Sequence, residues 1–297
     1  MSNKLRKMTL EKKHNLTGWA FLAPATFLIA VFSFWPMIKA LVLSFQTGKG
    51  RNMQMAGFTN YIRMFQDDVF IQSIKNTFFY FILQVPIMLV VALVLACILN
   101  KKDLRFKGFF RTMIFEPCTT SLVAYSIIFR SLFANNGLVN YVLVNIGILD
   151  KPYNFLTQPF AAKMVILLGL LWRWTGYNMV FFLSGLQNIE YSVYEAAKID
   201  GASAIQTFFK ITVPLLKPTI LLTAIMSTNG TLQLFDESVN LTDGGPANAS
   251  ISMSHYIYNL CFKYVPNFGY AAAMSFFILL LVAVLAFIQM RVGDKRD

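Results

Sequence analysis

Polar residues interrupt two apolar runs of this chain, and their types suit solute binding better than bond cleavage. Residues 227–231 read Ser-Thr-Asn-Gly-Thr, with Gln233 shortly after, and Tyr177 and Asn178 lie in an earlier run. Hydroxyl and carboxamide groups donate and accept hydrogen bonds without carrying charge. The same residue types also join membrane helices to each other, so both interpretations remain open.

The residues that usually carry catalysis are scattered. His14 and His255 are far apart, and Cys97, Cys118 and Cys261 lack the spacing of a metal or redox site. The acidic residues fall mostly outside the apolar runs, and no Gly-x-x-x-x-Gly-Lys-Ser/Thr loop is present for ATP. We therefore expect no catalytic residues, no metal and no cofactor in this chain.

The composition indicates a membrane protein. Of 297 residues, 56% are hydrophobic and 13% are charged, whereas about 25% of residues are charged in a soluble protein. About 20 apolar residues cross a bilayer as a helix. The sequence predicts an all-α, polytopic protein with six transmembrane helices at residues 19–38, 76–99, 112–133, 164–186, 218–235 and 270–290.

The third and fourth of these runs contain charges. Glu116 and Arg130 are expected at the two ends of one helix, roughly 21 Å apart by helical rise. Arg173 is expected to form an ion pair or to lie at the membrane interface, because an isolated charge in hydrocarbon is costly.

The net charge of +12 is concentrated before the first run, after the second, fourth and sixth runs, and hence in alternate loops. Such a distribution predicts that both termini are cytoplasmic, and the charges can contact anionic lipid. Nucleic-acid binding is not expected, since no basic stripe alternates with exposed aromatics. We divide the chain into a basic tail (1–17), a transmembrane domain (18–291) and a short tail (292–297).

The inner loop 187–213 has the pattern of two short helices with an elbow. Asp200 and Gly201 can end the first helix, with Gly201 in a left-handed conformation, and Ser203 can start the second. Charges and small alanines suit a docking surface for another protein, but an amphipathic loop lying on the membrane is an equal alternative.

One resemblance favours docking. Glu195-Ala196-Ala197, then Gly201 and Pro214, resembles the EAA loop of permease subunits in bacterial ATP-binding-cassette (ABC) importers. Residues 171–178 resemble the fourth-helix region of carbohydrate permeases, and the Gly-Gly-Pro turn at 244–246 resembles the maltose-type first permease. The chain departs from that pattern at Glu190, where proline is usual.

The resemblance implies the type I importer permease fold, a location in the bacterial inner membrane and a set of partners. These partners are a second permease, an extracellular solute-binding protein and two cytoplasmic ATPase subunits, which bind the ATP and Mg²⁺. By resemblance, the residues that couple to the ATPase are Tyr194, Glu195, Ala196, Ala197, Asp200, Gly201, Ala202, Phe208, Phe209 and Pro214.

The resemblance also implies a pathway for a di- or oligosaccharide. Ser227, Thr231 and Leu234 recur at helical spacing and are expected to share one face. The full predicted pathway comprises Gly176, Tyr177, Asn178, Met179, Ser227, Asn229, Gly230, Thr231, Gln233 and Leu234. The alternatives are an importer of another solute, such as glycerol phosphate, and a membrane scaffold without transport activity.

Overall fold

The computed structural model describes residues 10–49, 52–101 and 103–293. Residues 1–9 of the predicted N-terminal tail and 294–297 of the C-terminal tail lie outside this range. The described helices are α1 (Leu10–Ile29), α2 (Trp35–Ser44), α3 (Thr59–Met64), α4 (Asp68–Asn100), α5 (Lys107–Thr119), α6 (Leu122–Leu132), α7 (Leu138–Asn145), α8 (Pro159–Gln187), α9 (Tyr191–Ile199), α10 (Ala204–Thr207), α11 (Val213–Leu215), α12 (Lys217–Leu232), α13 (Asp236–Thr242), α14 (Met253–Tyr258) and α15 (Phe268–Gly293).

The described helices match the predicted spans in number when two bent pairs are each counted once. Four segments are long and apolar enough to cross a membrane: His14–Ser44, α4, α8 and α15. The pairs α5 with α6 and Ala204–Leu215 with α12 pass the same test, but each is bent. The structure therefore contains four to six candidate spans by length and composition.

The region between the first two spans contains a hairpin that the sequence pattern did not reveal. Strands β1 (Gln46–Lys49) and β2 (Asn52–Met55) pair antiparallel, with Gln46 opposite Met55. Asn60 of α3 donates hydrogen bonds to the carbonyls of Ser44 and Gln46 and so ties this region to the end of α2. The short helix α3 therefore packs against the end of the first span.

The first span contains a π-helical turn. Residues Ala30–Phe34 form this turn between α1 and α2, directly before Pro36. Proline cannot donate a backbone hydrogen bond, and its ring crowds the preceding turn. An irregular turn at this point accommodates the ring while the chain continues as one long segment.

The third span is broken, which corrects the expectation of one continuous helix. Helices α5 and α6 meet at an angle of 98°, and Thr120 and Ser121 between them have extended backbones. Glu116 and Arg130 therefore lie on different helices and do not mark the two ends of one helix. The break leaves the last carbonyls of α5 without intrahelical partners.

The fifth span is shorter than predicted. A 71° bend at Leu216 separates α12 from the preceding helical segment, and α12 ends at Leu232 instead of Phe235. A new helix, α13, starts at Asp236. Leu234 consequently lies beyond the helix and does not share a helical face with Ser227 and Thr231, as the spacing had predicted.

The core follows the contact between α4 and α8. Toward the C-terminal ends of the two helices, small and apolar side chains such as Ala92, Ala96, Met179 and Phe182 form one buried cluster. Toward the other ends, Tyr80 and Ile166 belong to a second cluster with residues of α6 and α13. The long apolar helices α4 and α8 thus form the frame on which the shorter helices pack.

Helix α5 packs tightly against α8 at Gly176. A Cβ atom added at this glycine would lie 1.9 Å from the carbonyl oxygen of Ile114. No side chain larger than hydrogen fits there, since backbone atoms cannot move aside cheaply. Gly230 of α12 is a useful contrast, because nothing lies within 4 Å of its added Cβ.

A buried histidine organises the turn that follows α13. The His255 Nδ1 atom is hydrogen-bonded to the Ser238 hydroxyl at 2.9 Å, and the oxygen of that hydroxyl also lies 3.1 Å from the Ser250 carbonyl oxygen. The His255 Nε2 atom is 3.6 Å from a carboxylate oxygen of Asp243, which also binds Lys263. The predicted turn is confirmed, with Asp243 and Gly244 in left-handed conformations.

Replacing Gly176 with alanine should destabilise the protein, because the new methyl group collides with the backbone of α5. We expect a loss of about 1–3 kcal/mol, typical of overpacking. Thermal melting of the detergent-purified protein measures this effect. The matched change Gly230→Ala should leave the melting temperature unchanged or slightly raised, and equal losses in both variants would contradict the close contact.

Acid should weaken the turn after α13 through His255. Burial lowers the pKa of this imidazole to about 4, the Asp243 carboxylate raises that pKa in part, and the charge of Lys263 lowers it by a smaller amount. Between pH 6.5 and about 4 the unfolded chain therefore binds a proton that the folded chain does not, so the stabilisation is lost as pH falls through this window. The melting temperature of the wild type should drop more steeply there than that of His255→Asn, whose amide can still donate to Ser238. If the melting temperatures of the wild type and His255→Asn fell equally with pH, His255 would not be the cause of the acid sensitivity.

Candidate functional site

Eight of the ten residues predicted for the solute pathway line one cavity. Its volume is about 420 Å³, and it lies among α4, α8, α12 and the start of α13. The eight residues are Tyr177, Asn178, Ser227, Asn229, Gly230, Thr231, Gln233 and Leu234. The two short polar segments of the sequence are therefore brought together, although about 50 residues separate them.

Hydrogen bonds between helices fix the polar wall of this cavity. The Thr231 hydroxyl of α12 is 2.6 Å from the Gln84 Oε1 atom of α4, and the Ser227 hydroxyl donates to Asn178 Oδ1 of α8 at 3.3 Å. Two carboxamide nitrogens, of Gln84 and Asn178, both point to the sulfur of Met88 at 3.5 Å. Asn178 Nδ2 also donates to the Trp174 carbonyl at 3.1 Å. A thioether is a weak acceptor, so the Gln84 amide in particular can gain by turning to a stronger one.

Gln84 and Met88 were missed by the sequence reasoning. Both lie on α4, in a run so apolar that its function seemed to be membrane crossing alone. The only available signal was one glutamine within that run, and its position relative to Thr231 depends on tertiary packing. The aromatic side chains of Trp174 and Phe181 also line the cavity.

The other two predicted pathway residues lie outside the cavity. Gly176 is pressed against the backbone of α5, as described above. Met179 is fully buried in the cluster between α4 and α8. Both positions face away from the cavity because consecutive residues of a helix point in directions about 100° apart. We therefore leave Gly176 and Met179 out of the proposed solute path.

Arg173 binds backbone carbonyls instead of forming the expected ion pair. Its side chain is 7% exposed, and its two terminal nitrogens donate to the carbonyls of Thr120 at 2.7 Å, Cys118 at 3.3 Å and Pro117 at 3.4 Å. These carbonyls end α5, where a cation is favoured by the helix dipole. Arg173 thus satisfies the polar groups exposed by the break in the third span.

The cavity has the chemistry of a binding site for a polar solute. Its wall offers uncharged donors and acceptors next to aromatic rings, a mixture that can hold both the hydroxyl groups and the apolar faces of one molecule. Within residues 10–49, 52–101 and 103–293, no cluster of three His, Cys, Asp or Glu side chains could hold a metal ion.

The inner loop forms two helices joined by a tight elbow, as its pattern predicted. Helix α9 ends with hydrogen bonds from Asp200 N to Ala196 O and from Ala202 N to Ala197 O. Gly201 has φ +75°, a conformation that side chains disfavour. The next helix begins with a capping box, in which Ser203 and Gln206 bond to each other's backbone amides.

This loop exposes one side and anchors the other. Ile199 and Ile205 are 86% and 72% exposed. The predicted coupling residues Glu195, Ala196, Asp200, Gly201, Phe209 and Pro214 are exposed as well, and Ala202 is half-buried. Tyr194, Ala197 and Phe208 form the anchored side: the Tyr194 hydroxyl is 3.4 Å from that of Thr212, Ala197 is buried, and Phe208 packs on the cluster between α4 and α8.

Known proteins resemble this chain along nearly its whole length. It is 51% identical over 292 residues to the lactose transport system permease protein LacF of Rhizobium radiobacter, covering 98% of each chain. It is 31% identical to the arabinooligosaccharides transport system permease protein AraP of Halalkalibacterium halodurans, covering 96% of this chain and 90% of that protein.

A solved structure has the same fold. It comes from a bacterial alginate ABC transporter in complex with an alginate pentasaccharide-bound periplasmic protein, with a TM-score of 0.84 and 25% identity, and covers 99% of this chain and 98% of that one. The architecture is therefore that of the type I ABC importer permeases. Residues 68–296 match the model of one protein family along α4 to α15. The chain belongs to that family, the inner membrane components of binding-protein-dependent transport systems.

Proposed function

We propose that this chain carries a di- or oligosaccharide across the inner membrane through the cavity among α4, α8 and α12. The observation that supports the proposal most is the uncharged hydrogen-bonding wall of Gln84, Asn178, Ser227 and Thr231. Relatives named for lactose and arabinooligosaccharides point to the same class of solute. Tyr177 and Trp174 can stack on the apolar face of a pyranose ring.

The energy for transport enters through the inner loop in this proposal. Helix α9, the elbow at Gly201 and the exposed side chains of Ile199 and Ile205 form a surface that fits a cleft in a soluble protein. Phe209 of the same loop is 64% exposed as well, and several large apolar side chains exposed on one loop favour an interface over solvent exposure. We assign this surface to one of two cytoplasmic ATPase subunits, which bind ATP and Mg²⁺.

The remaining partners complete the proposed transporter. A second permease supplies the other half of the solute path, and an extracellular binding protein delivers the sugar. The alternation of basic loops supports an orientation with both termini and the inner loop in the cytoplasm. Lys and Arg side chains of the inner loops lie where they can contact anionic lipid headgroups.

Removing the hydroxyl of Thr231 should weaken sugar uptake. Thr231→Val keeps the size of the side chain but removes the hydroxyl that holds the Gln84 carboxamide in the cavity wall. The sugar then loses one positioned hydrogen-bond partner worth about 1 kcal/mol, so KM for uptake should rise roughly fivefold. Uptake of a panel of labelled saccharides by cells that express the transporter identifies the sugar and measures KM.

The matched control is Thr228→Val. Thr228 is equally buried on α12, but it bonds to Ala224 and Gln289 and does not line the cavity. Its KM should stay near the wild-type value. Equal effects of the two substitutions, or uptake of none of the saccharides by the wild type, would contradict the proposed sugar path.

Strain at the elbow should separate ATP hydrolysis from transport. Gly201→Val forces a β-branched residue into a left-handed conformation at a cost of about 1–2 kcal/mol, and we expect uptake to fall roughly tenfold as the elbow changes shape. Charge reversal by Glu195→Lys should act similarly. ATPase activity and uptake are measured on the same membranes, with immunoblotting to show that each variant inserts.

Gly57 offers the control for this experiment. It also has a left-handed backbone, with φ +57° and nothing within 4 Å of an added Cβ, but it lies beside the hairpin, far along the chain from α9. Gly57→Val should therefore leave the ratio of sugar uptake to ATPase activity at its wild-type value. Normal coupled uptake in Gly201→Val and Glu195→Lys would remove the docking role from this loop.

A further inference from the structure

The proposed function leaves Glu116 of the third span without a role. Its side chain lies in the last turn of α5 and is exposed on the surface of the chain. Among the described residues, no cation comes within 4.0 Å of its carboxylate, which accepts one hydrogen bond, from the Thr120 hydroxyl at 3.3 Å. Glu116 does not line the cavity either. The described part of this chain thus leaves the charge of Glu116 unbalanced.

Glu116 lies near the middle of the membrane. The carbonyl of the next residue, Pro117, is bound by Arg173, the central residue of α8 (Pro159–Gln187). A spanning helix of this length extends past both edges of the roughly 30 Å hydrocarbon layer, so its central residue falls near mid-depth. A carboxylate at this depth is costly when it faces lipid, and the negative end of the α5 dipole adds to the cost. Glu116 therefore needs a polar partner.

Two hydroxyl side chains extend the polar surface around Glu116. Thr119 and Ser121 are exposed as well, and these three residues together are called the polar band. The backbone at the band is irregular, with extended conformations at Thr120 and Ser121. Irregular backbone at membrane depth occurs where protein or water covers it, because lipid offers no hydrogen bonds. Lipid is therefore excluded as the main cover of the polar band.

Large apolar side chains lie on both sides of the polar band. Phe109 and Met113 precede Glu116 by seven and three residues, on the same face of α5. They are 59% and 54% exposed, and Val123 and Ile127 of α6 are 56% and 62% exposed. A water-filled path would leave these four side chains in water, which is unfavourable. A protein surface with apolar flanks and a polar centre satisfies the whole face, whereas lipid or water satisfies only part of it.

We propose that the second permease packs on this face of the third span and places a basic side chain opposite Glu116. The inference rests on the proposed function, which supplies this partner. A carboxylate taken out of water is stable only when it is paired, so the partner's charge must be positive. The hydroxyls of Thr119 and Ser121 can bind further polar groups of the partner at the same depth. Leu122, directly after the polar band, lines the cavity, so the second permease continues the cavity wall from this position.

Charge reversal at Glu116 tests the pairing. Glu116→Lys brings two cations together in a buried interface, so the amount of second permease that co-purifies with this chain should fall about tenfold or more. Glu116→Gln should cause a smaller loss, because the amide oxygen can still accept a hydrogen bond. Immunoblotting should show equal amounts of this chain in the membrane, since the Glu116 carboxylate bonds only to Thr120 among the described residues.

Asp103→Lys is the matched control, a charge reversal at an exposed carboxylate in the inner loop between α4 and α5. It lies outside the proposed contact, so the recovery of the second permease should stay at the wild-type level. A rescue experiment then identifies the partner charge. Each Lys and Arg in the spans of the second permease is replaced in turn with Glu. One replacement should restore assembly with Glu116→Lys, and the same replacement alone should weaken assembly with the wild-type chain.

Photo-crosslinking locates the contact independently of charge. The photoreactive residue p-benzoylphenylalanine replaces Met113 or Ile127 in the whole transporter, which is held in lipid nanodiscs and irradiated. Mass spectrometry should find both positions joined to the second permease. Adducts with phospholipid alone or with a second copy of this chain, unchanged recovery in Glu116→Lys, or failure of every reversed cation to restore it would overturn the proposal. None of these readouts needs sugar or uptake, so their failure is distinct from the failure of the proposed sugar path.

Discussion

The contact between the Arg173 guanidinium and the carbonyls of Pro117, Cys118 and Thr120 is the interaction on which the cavity depends. A break in a spanning helix leaves carbonyl groups without partners, which hydrocarbon does not tolerate. Arg173 satisfies them and lets α6 turn away from α5 by 98°. Leu122, at the start of α6, then becomes part of the cavity wall beside α8. Without this contact the carbonyls at the break would lack these side-chain donors.

The loop that faces the proposed ATPase is linked to the cavity through packed helices. Phe208, beside the exposed surface, packs on a cluster that contains Leu186 at the end of α8 and Leu216 before α12. Both helices carry cavity residues further along their length. A displacement of the loop therefore acts on two walls of the cavity together, since well-packed side chains transmit movement with little loss.

The sequence predicted element types and the polar cavity wall well, because these depend on local composition. The elbow at Gly201 and the pairing of two polar segments follow from residue type and helical period. Predictions failed where tertiary contacts decide. The break near Thr120 depends on Arg173 of another helix, Gly176 faces α5 instead of the cavity, and Gln84 gains its role only through Thr231. Helical spacing likewise could not reveal that α12 ends before Leu234.

The central claim is that a saccharide passes through the cavity among α4, α8 and α12. A cryo-electron microscopy structure of the whole transporter, trapped with a transported saccharide, tests it most directly. The account predicts sugar density within hydrogen-bond distance of Gln84, Asn178 and Thr231, with the Gln84 carboxamide turned from the Met88 sulfur toward the sugar. Density for the sugar outside this cavity, with those side chains unchanged, would contradict it.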